Sequence, residues 1–399
     1  MKRISTMHTM KRESGAVSIF VVIFAALLLS VLTVGFVRLM IADQQRATNN
    51  DLSQSAYDSA MTGVEDVKRA IINYQNVCRT GTVAACSDLR ARITKQDVCN
   101  AVVREENIIT DSATSPDDEV LIQQSSGDAA LGQAYTCVTL GLDTPDYIGE
   151  VAQNESKLIP LNGVTPFTSI TVEWFTSKDA AGATAINVPA EKGGIAQPML
   201  DQGSWPSDRP PVLRTGLMQV GSSFTLADFD AMKGDASNAN TLFLYPTQSG
   251  NKNSSFKDRD PRASLDAKAP AIASSAPLQT NCSTSVTGDE GSYACSITLD
   301  VPAPIDGGTR TAYLRLTSLY NATHFRITLN GTDFRDVQAL VDSTGRANNL
   351  FRRVQSRIDL LDTTFQYPDA ALDLGGNLCK DFAVTAEGSS GAVCDPSKP

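Results

Sequence analysis

The sequence predicts an α+β protein: one long N-terminal helix, apolar in its first half and amphipathic in its second, followed by a β-rich region carrying disulfides. Three observations predict it. Residues 16–37 run for 22 positions without a charge. The apolar line Leu52, Ala56, Ala60, Val64, Val67 and Ile71 then repeats at spacings of four and three, well before the first proline, Pro116. Beyond Pro116, short alternating runs bounded by Gly, Pro, Asn, Asp and Ser replace the helical pattern.

The apolar run comes first. About 20 apolar residues carry a helix across a bilayer, and Arg38 closes a run of that length. Lys2, Arg3, Lys11 and Arg12 precede it and few cations follow closely, so the cationic side stays cytoplasmic and the chain beyond residue 40 is exported. An ordinary secretory signal has a shorter apolar stretch, about 7 to 15 residues, followed by a small-residue cleavage site. Neither feature is present.

Nothing between residue 16 and roughly residue 75 obliges a helix to stop, and Gly63 is the only glycine after Gly35 in that stretch. Asp51, Asp58, Glu65, Lys68 and Arg69 fall mostly off the apolar line, so the second half of the helix packs on a soluble body. Such a helix is on the order of 90 Å long. Strands are expected at residues 134–140, 167–175, 241–245, 293–299, 312–316 and 324–329, with later runs at 350–358 and 380–385. The clearest has Ile170, Val172 and Trp174 alternating with polar neighbours. Residues 178–211 and 248–281 read as loops. The aromatic side chains Trp174, Phe175, Phe243 and Tyr245 read as core.

Charge and cysteines narrow the function. The formal charge is -10, and the first 15 residues hold four cations against Glu13, which leaves -13 for the remainder. So acidic a body repels phosphate backbones, and no nucleic-acid partner is expected. The eight cysteines, 78, 86, 99, 137, 282, 295, 379 and 394, all lie in the exported part and read as disulfides. Eight cysteines allow on the order of 100 pairings. The near neighbours Cys282 with Cys295 and Cys379 with Cys394 are the expected pairs, and pairing among the first four stays open. No two cysteines have the spacing of a zinc knuckle and the only histidines are His8 and His324, so neither metal nor cofactor is expected. Asp228, Asp230, Asp258, Asp260 and Asp266 lack a calcium-loop pattern and read as solvated. The phosphate-loop, His-Glu-x-x-His and Gly-x-Ser-x-Gly motifs are absent, and a nucleophile-histidine arrangement would depend on His324 alone, so no enzyme is expected.

The motif Glu13-Ser14-Gly15-Ala16-Val17-Ser18-Ile19-Phe20 resembles a class III leader, the kind a prepilin peptidase cuts after glycine. The continuation from Asp43 through Ser53, Ala56, Tyr57, Ala60, Glu65 and Arg69 to Ala70 resembles the PilX-like minor pilins. The resemblance covers residues 10–75, under a fifth of the chain. It implies cleavage between Gly15 and Ala16 and retention of the apolar helix, with Phe20, Phe24 and Leu28, as the assembly helix of a type IV pilus. Major pilins carry glutamate at the fifth mature position, where it neutralises a neighbouring subunit's amine. Phe20 stands there in this chain, which points away from a main fibre subunit and towards a tip or priming subunit. The segment from Cys379 to Cys394 would be the disulfide-closed C-terminal loop.

The implied organisation is a leader at 1–15, a transmembrane helix at 16–38, its amphipathic continuation at 39–77, a pilin-like β region at 78–177, a loop-rich β insertion at 178–311 and a C-terminal β region at 312–399. The expected function is a minor pilin of the cell surface, serving filament assembly, adhesion or twitching motility. Its partners would be other pilin subunits, the prepilin peptidase, the pilus assembly machinery, the membrane and a host or cell-surface target. It would reside in the cytoplasmic membrane as a single-pass protein, N-terminus in the cytoplasm, and then in the extracellular pilus. The alternative is an uncleaved, signal-anchored binding protein.

Overall fold

The computed structural model describes residues 15–95, 97–109, 119–122, 132–190, 202–221, 239–256, 277–287, 291–308 and 310–360. It opens with α1 (Gly15–Thr80), a single helix of 66 residues and roughly 100 Å. No proline interrupts it, and it ends where Gly81 N–H donates to Val77 O at 2.8 Å. Two short helices follow, α2 (Val83–Ile93) and α3 (Ala101–Glu105). The Thr82 hydroxyl caps α2 by accepting from Ala85 N–H at 3.2 Å. The stretch expected to open as β structure at residue 78 therefore begins as helix, because Leu89, Ile93, Ala101, Val102 and Val103 bury a helical face and Thr82 supplies its start.

The strands are β1 (Val120–Leu121), β2 (Gln133–Thr144), β3 (Tyr147–Val151), β4 (Ser156–Pro160), β5 (Phe167–Trp174), β6 (Val212–Gly221) and β7 (Ala239–Thr247). After them come β8 (Asn253–Ser255), β9 (Leu278–Asn281), β10 (Cys295–Ile305), β11 (Arg310–Leu319), β12 (Thr323–Leu329), β13 (Phe334–Ala347) and β14 (Leu350–Asp359). They form three sheets, of orders β1-β2-β13-β14, β3-β12-β5-β10-β8 and β4-β11-β6-β7-β9. Long helix plus disulfide-bonded β-rich region is the α+β class read from the sequence.

The described chain makes two compact units. The first holds α1 as far as Asp66, β1, the start of β2, the end of β13 and the start of β14. Its core is Ala56, Ala60, Val64, Val120, Ala134, Tyr135, Val138 and Ala347. The anticipated apolar line of α1 thus faces a sheet, as an amphipathic helix must. Arg346 makes a two-pronged ion pair with Glu119, Nε to Oε1 at 3.0 Å and Nη2 to Oε2.

The second unit holds the end of α1, both short helices and the two five-stranded sheets. Inward side chains of both sheets share one apolar core: Ile170, Val172, Trp174, Phe325 and Ile327 from one, Ile159, Leu213, Leu217, Leu244, Leu314 and Leu316 from the other. This is a β-sandwich. The ladder of β10 on β5 shifts register between Asp300 and Ile305, where Pro302 and Pro304 have no N–H to give. Strands from all three stretches 78–177, 178–311 and 312–399 enter this one core, so residues 178–311 are not a body of their own.

Disulfides join Cys78 to Cys86, tying the end of α1 to α2, and Cys282 to Cys295, beside β9 and β10. Cys99 and Cys137 are disulfide-bonded as well. Cys379, Cys394, residues 380–385 and the five aspartates named above lie outside the described residues.

Tyr74 of α1 and Arg90 of α2 meet Asp336 of β13, the Tyr74 hydroxyl donating at 3.2 Å and Arg90 Nε at 3.4 Å, while Arg90 Nη2 also reaches Asp143 at 2.6 Å. Burial raises the Asp336 carboxyl above its ordinary 3.8, with Arg90 opposing, and burial followed by Asp336 pushes Tyr74 up to about 12. The folded chain therefore holds the Asp336 proton more tightly than the unfolded chain. Its contribution to stability is full below pH 3.8 and is lost as pH rises through the folded value. Asp336→Asn is expected to flatten the pH dependence of thermal melting just above pH 3.8, and an unchanged profile would refute the assignment.

Candidate functional site

The candidate site is α1 itself, in two parts of opposite character. From Ile19 to Ile41 every large apolar side chain is exposed, and none is buried by its own chain. Gly15 is the first residue of α1 and Ala16 the second. Phe20, Phe24 and Leu28, four apart on one face, are 75, 71 and 53% exposed. So much unburied apolar surface has no place in water, and α1 is long and apolar enough to cross a membrane. Ser30 and Thr33 within it satisfy themselves: Ser30 Oγ donates to Leu27 O at 2.8 Å, and Thr33 Oγ1 donates to Leu29 O. A helix in hydrocarbon needs that local satisfaction, since no water is there to accept. Beyond Arg38 the surface turns polar, with Asp43 and Arg46 paired at 3.8 Å in the open.

The second part is locked to a sheet by the absence of side chains. Gly345 of β13 lies so close to α1 that a Cβ there would overlap Ala56 O and Ala60 N and come within 2.8 Å of Ser59 C. Gly63 answers from the helix: a Cβ on it would stand 2.6 Å from Ser343 Oγ and 3.2 Å from the Tyr135 ring. Backbone meets backbone here because Ala56, Ser59, Ala60 and Gly63 are all small. Next to this contact the buried Tyr135 hydroxyl donates to Asp66 at 3.0 Å, which keeps a carboxylate inside the apolar face of the helix. Nearer the apolar half, Arg352 Nε donates to Ser53 Oγ at 2.8 Å.

Sequence reading did not find Gly345, Ser343, Tyr135 or Asp66. The one signal present was Gly63, an isolated glycine in an otherwise uninterrupted helix, which marks close approach of a neighbour.

His324, the one residue on which nucleophilic chemistry would depend, sits in β12. Its Nδ1 is 2.6 Å from Asp179 Oδ1, and its Nε2 is 3.8 Å from Glu150 Oε2, on the neighbouring strand. The ring is thus flanked by carboxylates on both nitrogens. Asp179 is only 5% exposed and also accepts from His324 N–H, Thr176 N–H and Thr176 Oγ1, so it pins the 176–179 turn to β12. That geometry suits a structural clasp, with both ring nitrogens facing carboxylates. Of the strand aromatics, Trp174, Phe175 and Tyr245 are buried, whereas Phe243 is half-buried on the outward side of β7.

No family model, no curated protein and no solved structure matches the chain.

Proposed function

We propose that this chain is a minor pilin-like subunit of a type IV filament, cut after Gly15, stored in the membrane through α1 and incorporated at or near a filament tip. The observation that carries the reading is the division of one unbroken helix into an apolar half that its own chain leaves bare and a half held tightly to a sheet. A passive tether needs the first part only. A subunit that moves from lipid into a helical bundle needs both, because the bundle replaces one apolar surround with another while the second half keeps the sheet of the first unit on the moving helix. Solvation is then nearly balanced across the transfer, and an assembly motor supplies the remainder. The leader-like motif ending at Gly15 and the resemblance of residues 10–75 to PilX-like minor pilins support the same reading.

Phe20 favours the tip. A charged amine buried in a filament core costs several kcal/mol without a carboxylate partner, and the fifth position after Gly15 offers none. A subunit with none above it has no such amine to neutralise. Prepilin peptidase, other pilin subunits and the assembly machinery are the implied partners, and the sandwich is the part that meets a cell surface.

The test is the intact mass and N-terminal sequence of the protein from membranes and from sheared surface filaments. A chain beginning at Ala16 in the filament fraction is expected. A chain retaining residues 1–15 and confined to membranes would replace this reading with that of an anchored binding protein.

A further inference from the structure

One sheet of the sandwich buries side chains on both of its faces. In β6, Leu213 belongs to the main core while Val212 points the other way, and in β7 Leu244 and Tyr245 divide likewise. Leu319 of β11 lies opposite Val212 in the ladder and shares its face. An outer face normally meets water, yet Val212 is fully buried and Tyr245 is 3% exposed. The cover is the segment 202–211, a single 3-10 helical turn at Gln202–Ser204 followed by Trp205 and a tight turn in which Arg209 N–H donates to Pro206 O at 3.2 Å. Trp205 stacks flat on Tyr320, ring centroids 4.3 Å apart, and meets the Tyr245 ring edge-on at 6.1 Å. The Arg209 guanidinium lies 5.2 Å from the centre of the Trp205 ring.

This cover is fastened at its edges and poorly satisfied beneath. Its far end is anchored to the core, where the buried Trp174 Nε1 donates to Pro211 O at 3.2 Å. Along its length the ties are to two asparagines. Asn321 Nδ2 donates to Pro206 O at 2.9 Å and to Arg209 O at 3.0 Å, and Arg209 Nη2 donates to Asn187 Oδ1 at 3.0 Å. Among the described residues, Trp205 Nε1 and Arg209 Nε are both buried with no hydrogen-bond acceptor. Both groups only donate, so neither can serve the other. A buried donor left unpaired forfeits the water it had in the open, a cost that closure carries twice. Tyr320, the ring on which Trp205 rests, is held at φ +83°, a left-handed backbone that a bulky side chain seldom adopts. Burial of the Trp205 ring favours the closed position, and the orphaned donors and the strain oppose it.

We propose that residues 202–211 are a hinged cover that swings about its anchored end at Pro211 and lifts Trp205 off the sheet while the sandwich stays folded. Pro206, Pro210 and Pro211 fix φ at three of the ten positions, so the segment moves as a stiff unit. Lifting returns both N–H groups to water and uncovers Val212, Tyr245 and the Tyr320 ring. The surface therefore has two states. Closed, it presents the exposed Gly203, Ser204 and Ser207; open, it presents aromatic rings. Local openings of this kind draw on the least stable contacts of a fold and leave its core intact.

The experiment is hydrogen exchange, followed by NMR, of the two indole N–H groups of the full-length protein in detergent micelles, since Trp174 and Trp205 are its only tryptophans. Trp205→Phe assigns the signals. The Trp205 indole is expected to exchange at least about a hundredfold faster than that of Trp174, at a rate that mild denaturant leaves unchanged, because a local opening exposes little surface. Asn321→Ala removes both main-chain ties and is expected to speed Trp205 exchange about tenfold, the weight of two hydrogen bonds, while Trp174 exchange holds. Should that variant fail to fold, Asn187→Ala, at an exposed position, frees Arg209 alone and is expected to give about a threefold rise. Exchange of Trp205 in step with Trp174, a Trp205 rate that climbs with denaturant as the core's does, or rates unmoved in the folded variants would each overturn the proposal. The assay needs no filament, so its outcome is independent of the pilin-like reading.

Discussion

Gly345→Val is expected to destabilise the first unit by about 3 kcal/mol, the upper part of the usual range for overpacking a tight interior. A Cβ at this position overlaps Ala56 O and Ala60 N, which are main-chain atoms of α1 and cannot rotate away as a side chain would. Either the helix lifts from β13 or the strand bends, and both moves open the core that holds Ala60, Val64 and Tyr135. The buried hydrogen bond from Tyr135 to Asp66 lies in that core, so strain there also threatens to leave a carboxylate under-satisfied, which adds to the cost. Thermal melting and amide hydrogen exchange of the full-length protein in detergent measure the effect, with protection lost first along residues 56–66. Gly203→Ala is the control, since a Cβ there meets nothing within 4 Å, and it is expected to stay within about 0.5 kcal/mol of wild type. A Gly345→Val protein as stable as the control would show that helix and strand do not meet as described.

On the pilin-like proposal, Gly15→Leu is expected to abolish processing, leaving residues 1–15 attached and the filament fraction empty of this chain. Two physical effects converge. On that proposal the peptidase recognises glycine at the edge of the apolar run, and leucine puts a branched side chain where none stood. The uncut chain then carries Lys2, Arg3, Lys11 and Arg12 at the head of the helix. Drawing a net +3 leader into an apolar bundle costs several kcal/mol for each unpaired charge, so the uncut subunit stays where its leader can face water. Intact-mass measurement of membrane and filament fractions reads both effects. Normal filament incorporation of an uncut Gly15→Leu chain would sink the pilin-like proposal outright, whereas loss of this chain from filaments with the membrane pool intact supports it.

Much of α1 was legible beforehand. Its apolar run, its uninterrupted length and the stripe from Leu52 to Ile71 all follow from neighbours three and four positions apart, and the structure buries Ala56, Ala60, Val64, Val67 and Ile71. Strands with large alternating side chains were equally visible, β5 and β12 above all. β13 was not. Its inward side chains towards the helix include Ser343, Gly345 and Ala347, which have no apolar signature although all three are buried. Nor did the sequence mark Trp205 and Tyr320 as neighbours, because only the folded sandwich brings positions so far apart into contact.

Composition and local pattern alone fix the class of the molecule: a membrane-length apolar helix continued by an amphipathic one, then a strand-rich region, with all eight cysteines beyond the apolar run. Those features rest on local periodicity and on composition, and each can be read within a window of a few turns or one strand. Long-range packing alone sets which strands join, brings residues 178–311 into one sandwich core with their flanks, and lays Gly345 against the backbone of α1. Thr136 and Thr344, which meet across the first unit, are 208 positions apart. Contacts of that separation are selected by mutual burial and by shape, and a glycine or serine that lets two backbones touch acquires its meaning only when the partner arrives.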